Sequence, residues 1–331
     1  MKNTCIAILS IIFLTTSCYQ DEQQENCIND VKNQFNINKE LETLRIFNDS
    51  IIQQPKTRGW FGTLTSVFSA DMLGACAGFK ASIGVAAYIT AATGGTAGPA
   101  TGIAVLASTG LIAGGASYGA YKGCSTVITE EEYNKHINSL LKQPIRIGKH
   151  INTFKSKCKL LYVSTIILEE HTCDLIAELH DSIVNIALDI EEQPITKSTP
   201  DLSTPIDPIL PTYNAISNNI PIFSDRDIKS LNHTVNNNLI DYYQNHNYEK
   251  TLNCMIEQQN ISVETGNILR LLMDVLYQGE ISDEATLEIV LNRYSNVIKE
   301  STNISIEDKN CLLIGLSVAK NSFRLWKNKI E

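Results

Sequence analysis

Between Gly59 and Cys124 the chain reads GWFGTLTSVFSADMLGACAGFKASIGVAAYITAATGGTAGPATGIAVLASTGLIAGGASYGAYKGC. This stretch holds 14 of the 18 glycines, and from Ala81 to Tyr121 it carries no charged residue and no histidine over 41 positions. An ordinary core is rich in Leu, Ile and Val and is broken by polar faces. Here Gly, Ala, Ser and Thr dominate, the residues that let helix backbones approach closely. Gly74, Gly78 and Ser82 recur every four residues, as do Gly110 and Gly114, and Gly115, Gly119 and Gly123. Each set predicts a smooth ridge on one helix face, a glycine zipper. Because Gly costs about 1 kcal/mol against Ala inside a helix, so many glycines need a packing reason. The spacing predicts a helical hairpin: a first helix over about Asp71–Ala92, a turn at Gly94–Pro99, and a second helix over about Pro99–Lys122. Pro99 suits a first helical turn, where its missing N–H is not needed.

Each arm is long enough to cross about 30 Å of hydrocarbon. It is nonetheless marginal membrane material, because small residues are weakly hydrophobic and Lys80 lies mid-arm. A central Lys costs about 2.5–3.5 kcal/mol on insertion. A strongly apolar hairpin would stop in the first membrane it met. A marginal one can be exported, stay packed against other helices and insert later, or it can remain packed permanently.

The N-terminus reads as a signal peptide over residues 1–17: Lys2 is basic, Cys5 to Leu14 is apolar, and Thr15-Thr16-Ser17 precede Cys18. An apolar run of about ten residues is too short to span a bilayer. Residues 18–58 form a polar arm in which Leu41, Leu44 and Ile46 fall near helical spacing, and Pro55 to Gly59 is a breaker around Arg58. The Gly/Ala-rich hairpin occupies 59–125. Residues 126–192 are expected to be helical, with a capping pair at Thr129 and Glu132 and apolar residues from Leu161 through Ile190 at helical spacing. Six of the nine prolines fall in a linker over 193–224. Residues 225–331 predict a C-terminal domain of four or five amphipathic helices, with N-terminal signals at Ser282-Asp283-Glu284 and Ser305 to Asp308. The fold class is mainly α.

The net charge of −9 argues against a nucleic-acid partner. Nine cysteines are present. Setting aside Cys5 and Cys18, the pairings expected in an oxidising compartment are Cys76–Cys124, Cys158–Cys173 and Cys254–Cys311, with Cys27 left over. Sequence does not fix this connectivity. No HExxH, P-loop, GxSxG or dinucleotide fingerprint occurs, so no catalytic residue, cofactor or metal is expected. His171, Cys173 and His180 lie close in sequence, but positions 171 and 180 point in different directions on a helix, which disfavours a metal site. His233 and His246 read as surface residues.

The Thr15-Thr16-Ser17-Cys18 run resembles the lipobox of bacterial lipoproteins, in which the cysteine carries the lipid, such as palmitate; Thr15 departs from the usual Leu. Asp21 and Glu22 resemble the surface-export signal of Bacteroidota lipoproteins, which implies an anchor on the outer face of the outer membrane. The glycine-rich segment is similar to those of class II-type bacteriocins. The whole arrangement resembles the proteolytically activated lipoprotein toxins of Bacteroidales. That resemblance implies cutting after Arg58, before Gly59, by an Arg-specific clostripain-type protease. It also implies release from the producing cell, an envelope receptor such as a surface glycan on the target, and insertion of the hairpin into membrane lipid. Two alternatives remain open: a non-toxic structural or assembly lipoprotein with a permanently packed hairpin, and an immunity lipoprotein.

Overall fold

The computed structural model describes residues 38–52, 61–92, 98–125, 131, 166–192, 231, 235, 238–243, 245–279, 281 and 283–330. The protein is mainly α-helical, and no strand occurs among the described residues. The helices are α1 (Asn38–Ile52), α2 (Phe61–Ala92), α3 (Gly98–Ser125), α4 (Glu170–Glu192), α5 (Tyr248–Glu257), α6 (Val263–Gln278), α7 (Glu284–Glu300) and α8 (Ile306–Ile330). Residues 238–243 are also helical. Cys18, Arg58, Gly59, the turn residues 93–97, Thr129, Glu132, Cys158, His233 and the 193–224 linker lie outside the described residues.

The glycine-rich segment forms the axis of the molecule. α2 packs along α3 on one side and along α8 on the other, while α4 lies across both α3 and α8. α6 touches α2 and α8, and α5 rests on α6. The first helix begins at Phe61, ten residues before the expected Asp71. Leu64, Val67 and Phe68 continue the apolar spacing through this extra length, and all three are buried. Pro99 sits in the first turn of α3, as its chemistry suggests.

The outer helices are amphipathic and conventionally capped. Leu175, Ile176, Leu179 and Ile183 bury one face of α4. The expected helical run before it is interrupted: residues 166–169 are non-helical, and Asn310 of α8 pins them by donating to the Ile166 carbonyl and accepting from the Leu168 N–H, both at 2.8 Å. Asp283 caps α7 by accepting from the Thr286 N–H at 2.8 Å. Ser305 caps α8 by accepting from the Asp308 N–H at 3.0 Å.

The described helices share one interior. The C-terminal helices do not enclose a core of their own, because buried apolar side chains from α1 through α8 form one continuous cluster. α8 is committed to α2 and α4, with Phe323 edge-on to Phe68 at 5.8 Å. The polar arm is also anchored. Leu41, Leu44 and Ile51 of α1 are buried on the side facing α6 and α7, while Ile46 points to solvent. Asn48 donates to the Leu271 carbonyl at 2.8 Å and accepts from the Tyr294 hydroxyl at 3.1 Å.

Candidate functional site: the polar centre of the hairpin

Asp71 is the one acidic residue between Gly59 and Cys124, and its side chain is completely buried. One of its oxygens, Oδ2, faces polar groups from three other helices. Ser117 of α3 donates at 2.9 Å, Ser322 of α8 also donates, and His180 Nε2 of α4 lies at 3.3 Å. Trp326 of α8 donates its indole N–H to Ser117 Oγ at 2.8 Å and stacks on Tyr121 of α3 at 4.7 Å. A single carboxylate thus ties together α2, α3, α4 and α8.

His180 is the counter-charge. Burial works against its imidazolium, but the Asp71 carboxylate and the bond to Asp181 outweigh burial and raise its pKa to about 9. Burial raises the pKa of Asp71 as well, against the lowering by His180 and by the Ser322 and Ser117 hydroxyls, and His180 Nδ1 shares a 2.9 Å hydrogen bond with Asp181 Oδ1. Asp181 lines a half-open cleft of about 330 Å³ between α4, α7 and α8, so the buried pair is linked to solvent through one carboxylate. Removing one member of such a buried pair costs about 3–5 kcal/mol, because the other charge is left uncompensated.

Lys80, the cation that makes the first arm costly to insert, is neutralised by α8. Its Nζ lies 2.6 Å from Glu307 Oε1 and 3.0 Å from Asp308 Oδ1, in the first turn of that helix. Burial pushes the Asp308 carboxyl up, but Lys80 and the Ser305 hydroxyl more than reverse this and hold it below the usual carboxylate range.

The glycine ridges serve different neighbours. A Cβ on Gly74 would sit 2.5 Å from Ala116 Cβ, and one on Gly78 would sit 3.1 Å from Ile112, so this ridge seats α2 on α3. Gly110 and Gly114 instead receive α4: a Cβ there would sit 2.9 Å from Leu179 and 2.6 Å from Ile183. Gly115 and Gly119 are buried within α3. Ser82 completes the first ridge through a buried 2.7 Å hydrogen bond to Ser108 of α3. Beyond Ser82 the packing opens. Gly84 and Ala87 are exposed and Tyr88 is 75% exposed, so the uncharged end of α2 faces solvent while its base is enclosed. Among the described residues one span, Gly102–Gly123, is long and apolar enough to cross a membrane, and 89% of it is buried in the bundle.

The expected cysteine pairings are corrected in two places. Gly74 lies against Ala113 and Ala116, so Cys124 sits at least eight residues along α3 from the level of Cys76, about 12 Å at helical rise. That exceeds disulfide reach. Cys254, Cys76 and Cys311 are all free thiols; Cys254 donates to Asn238 Oδ1 at 3.1 Å, whereas Cys311 lies against Cys76. Cys173 is a buried free thiol, and burial together with nearby acids pushes its pKa up to about 12. His171 is exposed and His180 is buried, and no metal-holding group of His, Cys, Asp and Glu occurs among the described residues. His246 is half-buried rather than a surface residue, with its ring edge-on to Tyr242 at 6.1 Å.

The residues that sequence reasoning missed are Asp71, Ser117, His180, Ser322 and Trp326. Two signals were available: Asp71 is a lone acid in an apolar helix, and His180 falls on the apolar stripe of α4, one turn after Ile176. No protein-family model, curated protein or solved structure matches this chain.

Proposed function

We propose that the protein is a surface-anchored lipoprotein toxin that acts on the envelope of neighbouring bacteria, with the glycine-rich hairpin as its membrane-active part. The observation that carries this reading is the uneven burial of the hairpin. Its base and its charges, Asp71 and Lys80, are held inside a jacket of helices, while its uncharged end presents Tyr88, Ala87 and Gly84 to solvent. In a hairpin serving only as core, Tyr88 would be expected to be covered. A hairpin stored for insertion needs both a polar lock at its base and an apolar leading end.

In this reading Cys18 holds the precursor on the outer membrane, and an Arg-specific protease cuts after Arg58. The cut frees the segment beginning Gly59-Trp60-Phe61 from the lipid, and the C-terminal helices engage the target envelope. The competing reading, a permanently packed structural lipoprotein, draws support from the Asp71 centre, which binds α2 to three partners. Spotting purified wild type and Arg58→Ala on lawns of related strains separates the two. Wild type should clear the lawn, its large fragment should begin at Gly59, and Arg58→Ala should lose at least 100-fold in titre. If neither protein clears any lawn, the structural reading stands; if both clear equally, the activating cut is elsewhere.

A further inference from the structure

Where α2 meets α8, two cysteines face each other. Cys76 lies mid-way along α2 and Cys311 in the second turn of α8, and both side chains are fully buried. Their contacts are reciprocal: Cys76 Sγ lies 3.4 Å from the Cys311 carbonyl oxygen, and Cys311 Sγ lies 3.6 Å from the Cys76 carbonyl oxygen. One turn beyond Cys311, Gly315 leaves room for this approach, since a Cβ there would sit 2.7 Å from Cys76 Sγ. Each sulfur thus lies against the other cysteine's backbone, which places the two side chains side by side at the α2–α8 contact.

We propose that Cys76 and Cys311 form an intramolecular disulfide that clasps the hairpin to the C-terminal helix. The proposal rests on the exported reading for its oxidising compartment. The chemistry is thiol–disulfide exchange with a disulfide donor such as oxidised glutathione or a dithiol oxidoreductase. One protein thiolate attacks the donor, giving a mixed disulfide and releasing the first donor thiol. The second protein thiolate then displaces the remaining donor sulfur. The donor takes up two electrons and the two protons, and one S–S bond forms in the protein as one breaks in the donor. Because both sulfurs are sealed once the helices dock, the exchange belongs to the folding chain. The bond would join α2 to α8 beside the Lys80–Asp308 pair and the Asp71 centre, leaving the hairpin end beyond Lys80 free.

The test is a peptide map of the full-length protein isolated from its producing cells. The protein is denatured and alkylated without reductant, then digested with trypsin. The expected result is peptide 59–80 linked to peptide 310–320, separating on reduction, because each contains a single cysteine. Refolding in a glutathione redox buffer should give the same pair. With reductant the melting temperature of the wild type should drop, and that of Cys76→Ala/Cys311→Ala should not move. Full alkylation of both cysteines after refolding with oxidised glutathione, or a link from either one to any other cysteine, overturns the clasp. Killing is read separately: a cross-linked protein that clears no lawn overturns the toxin reading and leaves the clasp in place.

Discussion

At the scale of single residues, space decides the sign of a change. Gly74 and Gly84 lie on the same helix, yet their neighbours differ. A methyl at Gly74 meets Ala116 Cβ at 2.5 Å and Ala113 Cα at 3.5 Å, and neither can swing away. A methyl at Gly84 meets nothing within 4 Å. Gly74→Ala should therefore destabilise by about 1–3 kcal/mol through overpacking, while Gly84→Ala should stabilise by about 0.5–1 kcal/mol through helix propensity; denaturant unfolding of the two variants checks both signs. His180 carries the second prediction. Its folded pKa is raised from 6.5 to about 9, so its stabilisation is complete below about pH 6.5 and is lost as pH rises through about 9. The shift corresponds to about 3 kcal/mol. The thermal midpoint of the wild type should fall between pH 7 and pH 9.5, and His180→Gln should start lower and show no such fall. A wild-type midpoint that is flat across that window would contradict a charged His180. The ridges themselves were legible, since periodicity reveals which residues share a face. It does not reveal which helix covers that face, so the pairing of Gly110 and Gly114 with α4 was hidden. The Asp71–His180 contact was hidden for the same reason: its two charges lie on helices far apart in the chain.

At the scale of helices, the sequence was most readable where a strong local signal operated. The caps at Asp283 and Ser305 and the start of α3 beside Pro99 fall where turn and capping chemistry place them. α2 starts ten residues earlier than expected, and Asp71 is an interior residue whose Oδ2 accepts from Ser117 and Ser322 of other helices. In the polar arm the helical spacing of Leu41 and Leu44 was legible, but the groove that receives them was not. α1 buries Leu41, Leu44 and Ile51, and Asn48 closes two hydrogen bonds to α6 and α7. Glu40 adds a third link by accepting from Ser301 Oγ at 2.7 Å and Asn303 Nδ2 at 3.0 Å. Burying each aliphatic side chain contributes about 1.5–3 kcal/mol, enough to hold the arm after the backbone is cut. Cleavage at Arg58 should therefore give fragments of about 40 and about 270 residues that co-elute on gel filtration and separate in denaturant. Asn48→Ala, which removes the acceptor of the Tyr294 hydroxyl and the extra bond to the Leu271 carbonyl, should cost about 1–3 kcal/mol and allow the fragments to separate under native conditions. Immediate separation of the cut wild type would show that α1 is not held by these contacts. Release from the producer then has two steps, a cut and the departure of α1.

At the scale of the molecule, the hairpin is held at its base and open at its end, and this asymmetry separates storage for insertion from permanent packing. Tyr88 is the residue to change, because at 75% exposure its replacement leaves the bundle intact. Such a surface substitution is expected to alter folding stability by less than about 0.5 kcal/mol. If the hairpin enters a bilayer end first, residue 88 must be carried across the hydrocarbon, and a lysine there adds about 2.5–3.5 kcal/mol to that passage. Leakage of a trapped dye from phosphatidylethanolamine/phosphatidylglycerol vesicles by the Arg58-cleaved protein should then slow on the order of 100-fold in Tyr88→Lys. Tyr88→Trp, which keeps an aromatic ring suited to the interface, should leak at the wild-type rate. Uncut protein should leak slowly in all three forms, because α2 stays covalently joined to the arm that carries α1. The melting temperature serves as the internal control. Equal leakage by Tyr88→Lys and wild type, with melting temperatures unchanged, would mean that the open end never crosses the membrane. The glycine-rich hairpin would then be the permanent axis of the fold, locked by its buried charge centre.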